Sequence, residues 1–257
     1  MLNGPAPVPE RSRAVLIGVS RYRHLHDLPA VAQNVPDLAR ALTGPLGWRL
    51  PPANCRTVTE PATPVEMLGP VEEEAAGAED TLLVYFAGHG LVDARGDLFL
   101  GLPGSTKAPY TGVPYQLLRD VLLEAPARRR VVVLDCCFSG RALGLMGTAD
   151  VSLAAQADIE GSYLLAAADE THHAKAPVGE RHTAFTGALL RLLTDGIPGG
   201  PEELDLNDAY RHLSAVCRAA GLPAPQKRDR NSMGNLFLTR NAATGRTTAP
   251  PAPPPVR

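Results

Sequence analysis

The 257-residue sequence predicts an α/β fold in three layers, a mostly parallel sheet flanked by helices on both faces, and three observations lead there. Short apolar, β-rich runs recur along the chain. Helical patterns, with apolar residues three and four apart, lie between them. The runs are nearly continuous in apolar residues, as in strands buried on both faces of a parallel sheet, and strands alternating with helices are the pattern of an open α/β fold.

The first run is AVLIGV (14–19). VPDLARALTGPL follows as a helix with Pro36 near its first turn. TPVEMLGPVEEEAAG reads as a second helix, with Thr63 as N-cap and Glu66 three residues on. The strand TLLVYFAG (81–88) comes next, and GDLFLGLPG (96–104) reads as a small strand or hairpin inserted after it. PYQLLRDVLLEA gives a third helix, and RVVVLDCC (130–137) and SYLLAAA (162–168) two further strands. The helices FTGALLRLLTDG and LNDAYRHLSAVCRAAG, the second stopped at Gly221, precede a last strand in NLFLTRN. Residues 1–10 read as a flexible N-terminal segment and 11–240 as one domain; NAATGRTTAPPAPPPVR, 241–257, reads as a proline-rich tail or linker.

Composition narrows the function. A net charge of −2 creates no field that draws nucleic acid or an anionic membrane, and the basic runs at 128–130 and 227–230 read as solvated ends of elements. MLNGPAPVPERSR has prolines where a signal peptide needs an apolar core, and nothing approaches the roughly 18 apolar residues of a membrane span. A cytoplasmic protein is expected. Four cysteines, at 55, 136, 137 and 217, are too few for a disulfide framework in a chain of this length, so reduced thiols are expected. Glu72–Glu74 reads as a solvated helix face. No phosphate-cradling Gly-x4-Gly-Lys-Ser/Thr is present, and no Gly-x-Gly-x-x-Gly follows the first strand, which disfavours a nucleotide engine and a dinucleotide-binding domain.

In open α/β sheets, ligands and chemistry gather at the carboxyl ends of the strands. One such end carries Gly88-His89-Gly90, and another carries Asp135-Cys136-Cys137-Phe138-Ser139-Gly140. A thiol titrates near ~8.5 and is mostly protonated at neutral pH, so a neighbouring imidazole that takes its proton makes it a nucleophile. The glycines around His89 allow a sharp turn and a close approach to substrate, with the amides of Gly90 and Cys137 expected to meet a developing oxyanion. Side chains alternate along a strand, which puts Asp135 and Cys137 on one side and leaves Cys136 as core packing on the other. Arg141 is at the wrong distance for a Cys-x5-Arg phosphatase loop, and Ser139 lacks the Gly-x-Ser-x-Gly setting of a hydrolase elbow. His172-His173 and His24-x-His26 come without the further ligands of a zinc site, so no metal is expected.

YFAGHG, followed 48 positions after its histidine by the second cysteine of DCCFSG, resembles the caspase-like cysteine peptidases, in which the histidine lies about 50 residues upstream of the cysteine. With Asp-x-Cys-x-Ser-Gly rather than Gln-Ala-Cys-x-Gly, it is closer to the prokaryotic metacaspase-like branch than to animal caspases. The resemblance spans roughly residues 11–240, from AVLIGVSRY to AFTGALL, in family order. It implies a caspase-hemoglobinase-like, Rossmann-like sandwich and a cysteine endopeptidase with Cys137 as nucleophile and His89 as general base, then acid. It further implies an S1 pocket in which Asp135 pairs with a substrate Arg or Lys. Asp169 in AAADETHHAK is the candidate second acid, with Glu170 a weaker one. Where the family often has Asn-Asp this chain reads Asn34-Val35, with Asp37 two residues on, which leaves the third pocket acid unassigned.

No cofactor is implied, although some metacaspases respond to calcium and that question stays open. A protein substrate is expected, with a regulatory or sensor partner reached through the C-terminal linker and a role in prokaryotic signalling or defence. The alternative of a different class is an inactive or weakly active caspase-like interaction module tethered by that tail. The presence of both His89 and Cys137 favours the enzyme.

Overall fold

The computed structural model describes residues 4–138, 162–166, 180–222, 224–229 and 232–244. The chain opens with β1 (Arg13–Gly18), α1 (Val31–Thr43), β2 (Cys55–Thr59), α2 (Pro64–Gly77) and β3 (Thr81–Val92). A small excursion, β4 (Leu98–Leu100) and β5 (Val113–Pro114), leads to α3 (Tyr115–Glu124) and β6 (Arg129–Phe138). After β7 (Ser162–Ala166) come α4 (Ala184–Asp195), β8 (Glu203–Asp205), α5 (Leu206–Ala219), β9 (Gln226–Asp229) and β10 (Phe237–Arg240).

The main sheet runs β2-β1-β3-β6-β7-β9, parallel except for β9, which pairs antiparallel with β7. Helices α1, α4 and α5 pack together on one face, and α2 and α3 on the other. Residues 14–17, 82–87 and 131–134 are all buried, since helices cover both faces. That is why these strands read as unbroken apolar runs rather than alternating ones. The chain steps outward from β1 to β2 and then returns past β1 to β3. The reversal makes the carboxyl ends of β1 and β3 a switch point, the place where such sheets hold ligands.

Several elements differ from the sequence reading. Helix α1 begins at Val31 and carries Pro36 inside it, because Val31, Asn34, Val35, Leu38 and Leu42 bury one face from the first turn onward. Helix α2 starts as expected, the Thr63 side chain accepting the Glu66 N–H at 3.2 Å. Strand β3 continues through Gly88-His89-Gly90 to Val92 instead of ending at Gly88, and the reason is β4, which pairs antiparallel with residues 90–92. Two strands of the main sheet left no signal: edge strand β2 buries only Val58, and β9, with the sequence QKRD, has no apolar residue and exists through its pairing with β7. The strand read in NLFLTRN forms as β10, in a separate two-stranded sheet with β8. At the N-terminus the Pro5 carbonyl accepts from Phe237 N–H at 3.2 Å, and the Val8 N–H donates to Asp80 at 2.9 Å. At the other end Asn241 bonds the carbonyls of Ile197 and Pro201 at 2.9 and 2.8 Å, so domain hydrogen bonding continues past residue 240.

Candidate active site

Strands β3 and β6 pair in register, Ala87 with Asp135, Gly88 with Cys136, His89 with Cys137 and Gly90 with Phe138. Neighbouring strands lie about 4.8 Å apart, so the backbone sets His89 and Cys137 directly opposite one another at the carboxyl edge. Strand β1 has stopped at Gly18, opposite Ala87, and the loop that follows it fills the vacated flank of β3. From this loop Tyr22 accepts the His89 backbone N–H at its hydroxyl (2.8 Å), while the His89 carbonyl accepts from the Gly101 N–H (2.8 Å). The Tyr22 and His89 rings meet edge to face, 4.6 Å between centroids. Burial drives the Tyr22 phenol far above its ordinary range, so it stays neutral and serves as a fixed prop.

The histidine is held from three sides and is only 6% exposed. Its Nε2 lies 2.8 Å from the backbone carbonyl of His26. A carbonyl can only accept, so Nε2 carries the proton and Nδ1 is the basic nitrogen of the neutral ring. The glycines before and beyond it serve packing. A Cβ on Gly88 would meet the Tyr22 hydroxyl at 2.7 Å and Phe86 at 2.9 Å, and one on Gly101 would press on the His89 carbonyl at 3.0 Å. The glycine at 88 therefore answers to the crowding of Tyr22 against β3, and not to the sharp turn expected from the sequence.

On β6 the alternation is visible at the first two positions. The Cys136 thiol is reduced and fully buried, close enough to Tyr22 and Tyr115 to raise both phenols electrostatically. Asp135 faces the other layer, toward α1 and α4, and is 3% exposed. Its Oδ2 accepts hydrogen bonds from Thr183 Oγ1 and Thr186 Oγ1, both at 2.5 Å, and from Asn34 Nδ2 at 3.3 Å. Asn34 Nδ2 also donates to Thr183 Oγ1 (2.9 Å) and Tyr85 Oη (3.1 Å), and Tyr85 Oη lies 2.7 Å from Thr186 Oγ1. Burial pushes the Asp135 carboxyl above its ordinary range, against the pull of these hydroxyls.

The profile of the caspase domain matches residues 11–230, most of the chain. The chain belongs to the caspase-like cysteine peptidase superfamily. No curated protein matches it. The register pair His89 and Cys137 thus lies at the carboxyl edge of a caspase domain, with Asp135 one β-repeat before the cysteine.

Around this edge the caspase domain is tied together by α1. Asn34 and Asp37, one turn apart, both grip the residues that lead into α4. The Thr183 N–H donates to Asn34 Oδ1 at 3.3 Å, and Asp37 binds the Arg181 guanidinium at 2.8 Å and His182 Nε2 at 2.6 Å. Arg181, then His182 and Arg40, hold the Asp37 carboxyl well below the ordinary carboxylate range. Asp37, the nearest acid to the family's Asn-Asp position, therefore turns toward 181–182, and the residue that touches Asp135 is the neutral Asn34.

Among the sequence candidates, the structure brings together His89, Cys137, Gly90 and Asp135; Gly90 lies within the β3 ladder, opposite Leu100 of β4. Ser139, Gly140, Arg141, Asp169, Glu170, His172, His173 and the stretch 245–257 lie outside the described residues. Among the described residues no group of three His, Cys, Asp or Glu side chains is placed to hold a metal ion, and no helix is long and apolar enough to cross a membrane. Sequence reasoning missed Tyr22, Tyr85, Thr183 and Thr186 and the His26 carbonyl. Only Thr183, as an N-cap before an apolar helix, carried a local signal.

Proposed function

We propose that the chain is a cysteine endopeptidase of the metacaspase-like branch that cuts peptide bonds after arginine or lysine, with Cys137 as nucleophile and His89 as its acid-base partner. The observation that carries this reading is the register pairing of His89 with Cys137, together with the proton that the His26 carbonyl fixes on Nε2. In this reading Nδ1 takes the thiol proton and the thiolate attacks the scissile carbonyl. The tetrahedral oxyanion is met by backbone amides, with those of Cys137 and Gly90 as the proposed donors. Collapse breaks the C–N bond, and the imidazolium returns its proton to the leaving amine. Water, deprotonated by the same nitrogen, then hydrolyses the thioester and restores the thiol. Nucleophile, base and acid are all supplied by the dyad, so the chemistry requires no cofactor. A nucleophilic thiol works in a reducing compartment, which supports a cytoplasmic setting, and the proline-rich tail is proposed as a tether to a regulatory or sensor partner.

Selectivity for a basic P1 residue rests on Asp135, with Asp169 as a proposed second acid. The partners of Asp135 are hydroxyls and amides, and among the described residues it forms no ion pair. A carboxylate buried without a cation gains most from a guanidinium, which binds it through charge-assisted, bidentate hydrogen bonds. Profiling with a P1 peptide library tests this. Arg and Lys should be preferred over Asp by orders of magnitude, and Asp135→Asn should lower kcat/KM for Arg substrates roughly 10- to 10²-fold, the loss of one charge-assisted bond. Cleavage after Asp in the wild type, or an Arg preference unchanged in Asp135→Asn, would contradict the pocket assignment.

A further inference from the structure

We propose that Thr183 and Thr186 are positioning residues for P1 selectivity, whose hydroxyls pin the Asp135 carboxylate by one oxygen and turn the other toward the cationic side chain of the substrate. This rests on Asp135 forming the floor of the S1 pocket. Three donors converge on Oδ2, two of them hydroxyls at 2.5 Å. A second tier fixes those hydroxyls: Asn34 donates to Thr183 Oγ1, and Tyr85 Oη shares a hydrogen bond with Thr186 Oγ1. Thr183 is the N-cap of α4, accepting the Thr186 N–H at 3.3 Å, so the same turn that starts the helix aims both hydroxyls.

Every member of this cage is neutral. Tyr85 from β3 is kept protonated by burial and then by the charge of Asp135, and Cys217 from α5 is pushed up by the same two causes. From α1 the facing group is the amide of Asn34, while Asp37 is engaged by Arg181 and His182; from α4 the facing groups are the two threonines. His89, two residues beyond Ala87 on β3, and Cys137 are common to every variant compared below. A cage of neutral donors stabilises the anion against burial without supplying a cation that would compete with the substrate. It therefore does two things at once: it orients the carboxylate, and it keeps the carboxylate ionised at lower pH than burial alone would allow.

The consequence is measurable with two fluorogenic peptides that differ only in Arg or its neutral isostere citrulline at P1. In Thr186→Val, which keeps shape and loses the hydroxyl, the Arg-to-citrulline ratio of kcat/KM should fall about tenfold, one hydrogen bond to a charged group. The acid limb of kcat/KM for the Arg peptide should move to higher pH, because the anion has lost a donor and takes up its proton sooner. Thr186→Ser, which keeps the hydroxyl, should restore both. Tyr85→Phe, which removes the partner of the Thr186 hydroxyl and the smaller direct support that the Tyr85 hydroxyl gives the Asp135 anion, and leaves both threonine hydroxyls in place, should move both in the same direction by less, and it decides the matter if Thr186→Val does not fold. A merely structural threonine lowers turnover of both peptides equally and leaves the limb in place; that outcome, with Asp135→Asn still losing Arg preference, overturns this inference and spares the pocket. An unchanged ratio in Asp135→Asn removes the pocket reading itself, and this inference with it.

Discussion

Replacing Cys137 by alanine is expected to abolish peptide cleavage, while Cys136→Ala should retain most of it. The two thiols are adjacent in sequence, yet only Cys137 is the register partner of His89; Cys136 pairs with Gly88 and is fully buried beside Tyr22 and Tyr115. A cysteine in that setting behaves as a small hydrophobe, and its truncation should cost about 1 kcal/mol of stability with turnover largely kept. Losing a nucleophile, by contrast, removes the covalent route entirely. Cleavage of an Arg-P1 peptide and urea unfolding, measured on both variants, separate the two roles. A folded but inactive Cys136→Ala beside an active Cys137→Ala would reverse the assignment.

His89→Gln is expected to lower turnover by about 10² to 10⁴, the usual worth of a positioned acid-base group, with little change in the unfolding midpoint. Glutamine is the more informative replacement than alanine. Its amide N–H still serves the His26 carbonyl that Nε2 serves in the native chain, while no basic nitrogen remains to receive a thiol proton. His89→Ala should lose turnover to the same extent and additionally leave a void beside Tyr22. Near wild-type turnover in folded His89→Gln would place the base elsewhere, with His172, His173 and His182 next in line. Of these His182 is described, and its Nε2 lies 2.6 Å from Asp37.

The parts of this architecture that a reader of the sequence could find are those whose cause is local. Strands β1, β3, β6 and β7 announced themselves because burial on both faces demands continuous apolar residues, and Thr63 announced α2 because an N-cap and its Glu66 are three residues apart. The register pair of His89 and Cys137 was legible for a related reason: each residue belongs to a short motif at the end of a readable strand. What stayed hidden depends on distant pairing. Strand β9 has no apolar residue and is a strand only because β7 is beside it, and Pro36 misplaced the start of α1 because tertiary burial of Val31 outweighs a proline's preference for the first turn. Around Asp135 the same holds. Asn34, Tyr85, Thr183 and Thr186 come from three elements, and Asn34 and Thr183 are 149 positions apart; no spacing rule connects them, and only the folded sheet with α1 and α4 on one face does. The glycine at 88 teaches the same lesson, since its reason is the hydroxyl of Tyr22 arriving from the loop after β1.

The most direct measurement is labelling of the full chain with a peptide electrophile carrying Arg at P1, followed by mass spectrometry of the digested protein to locate the adduct. The expected result is a single adduct on Cys137, absent in Cys137→Ala, sharply slowed in His89→Gln, and unaffected by Cys136→Ala. An adduct on Cys136, Cys55 or Cys217, or labelling of Cys137 at the same rate with and without His89, would contradict the dyad.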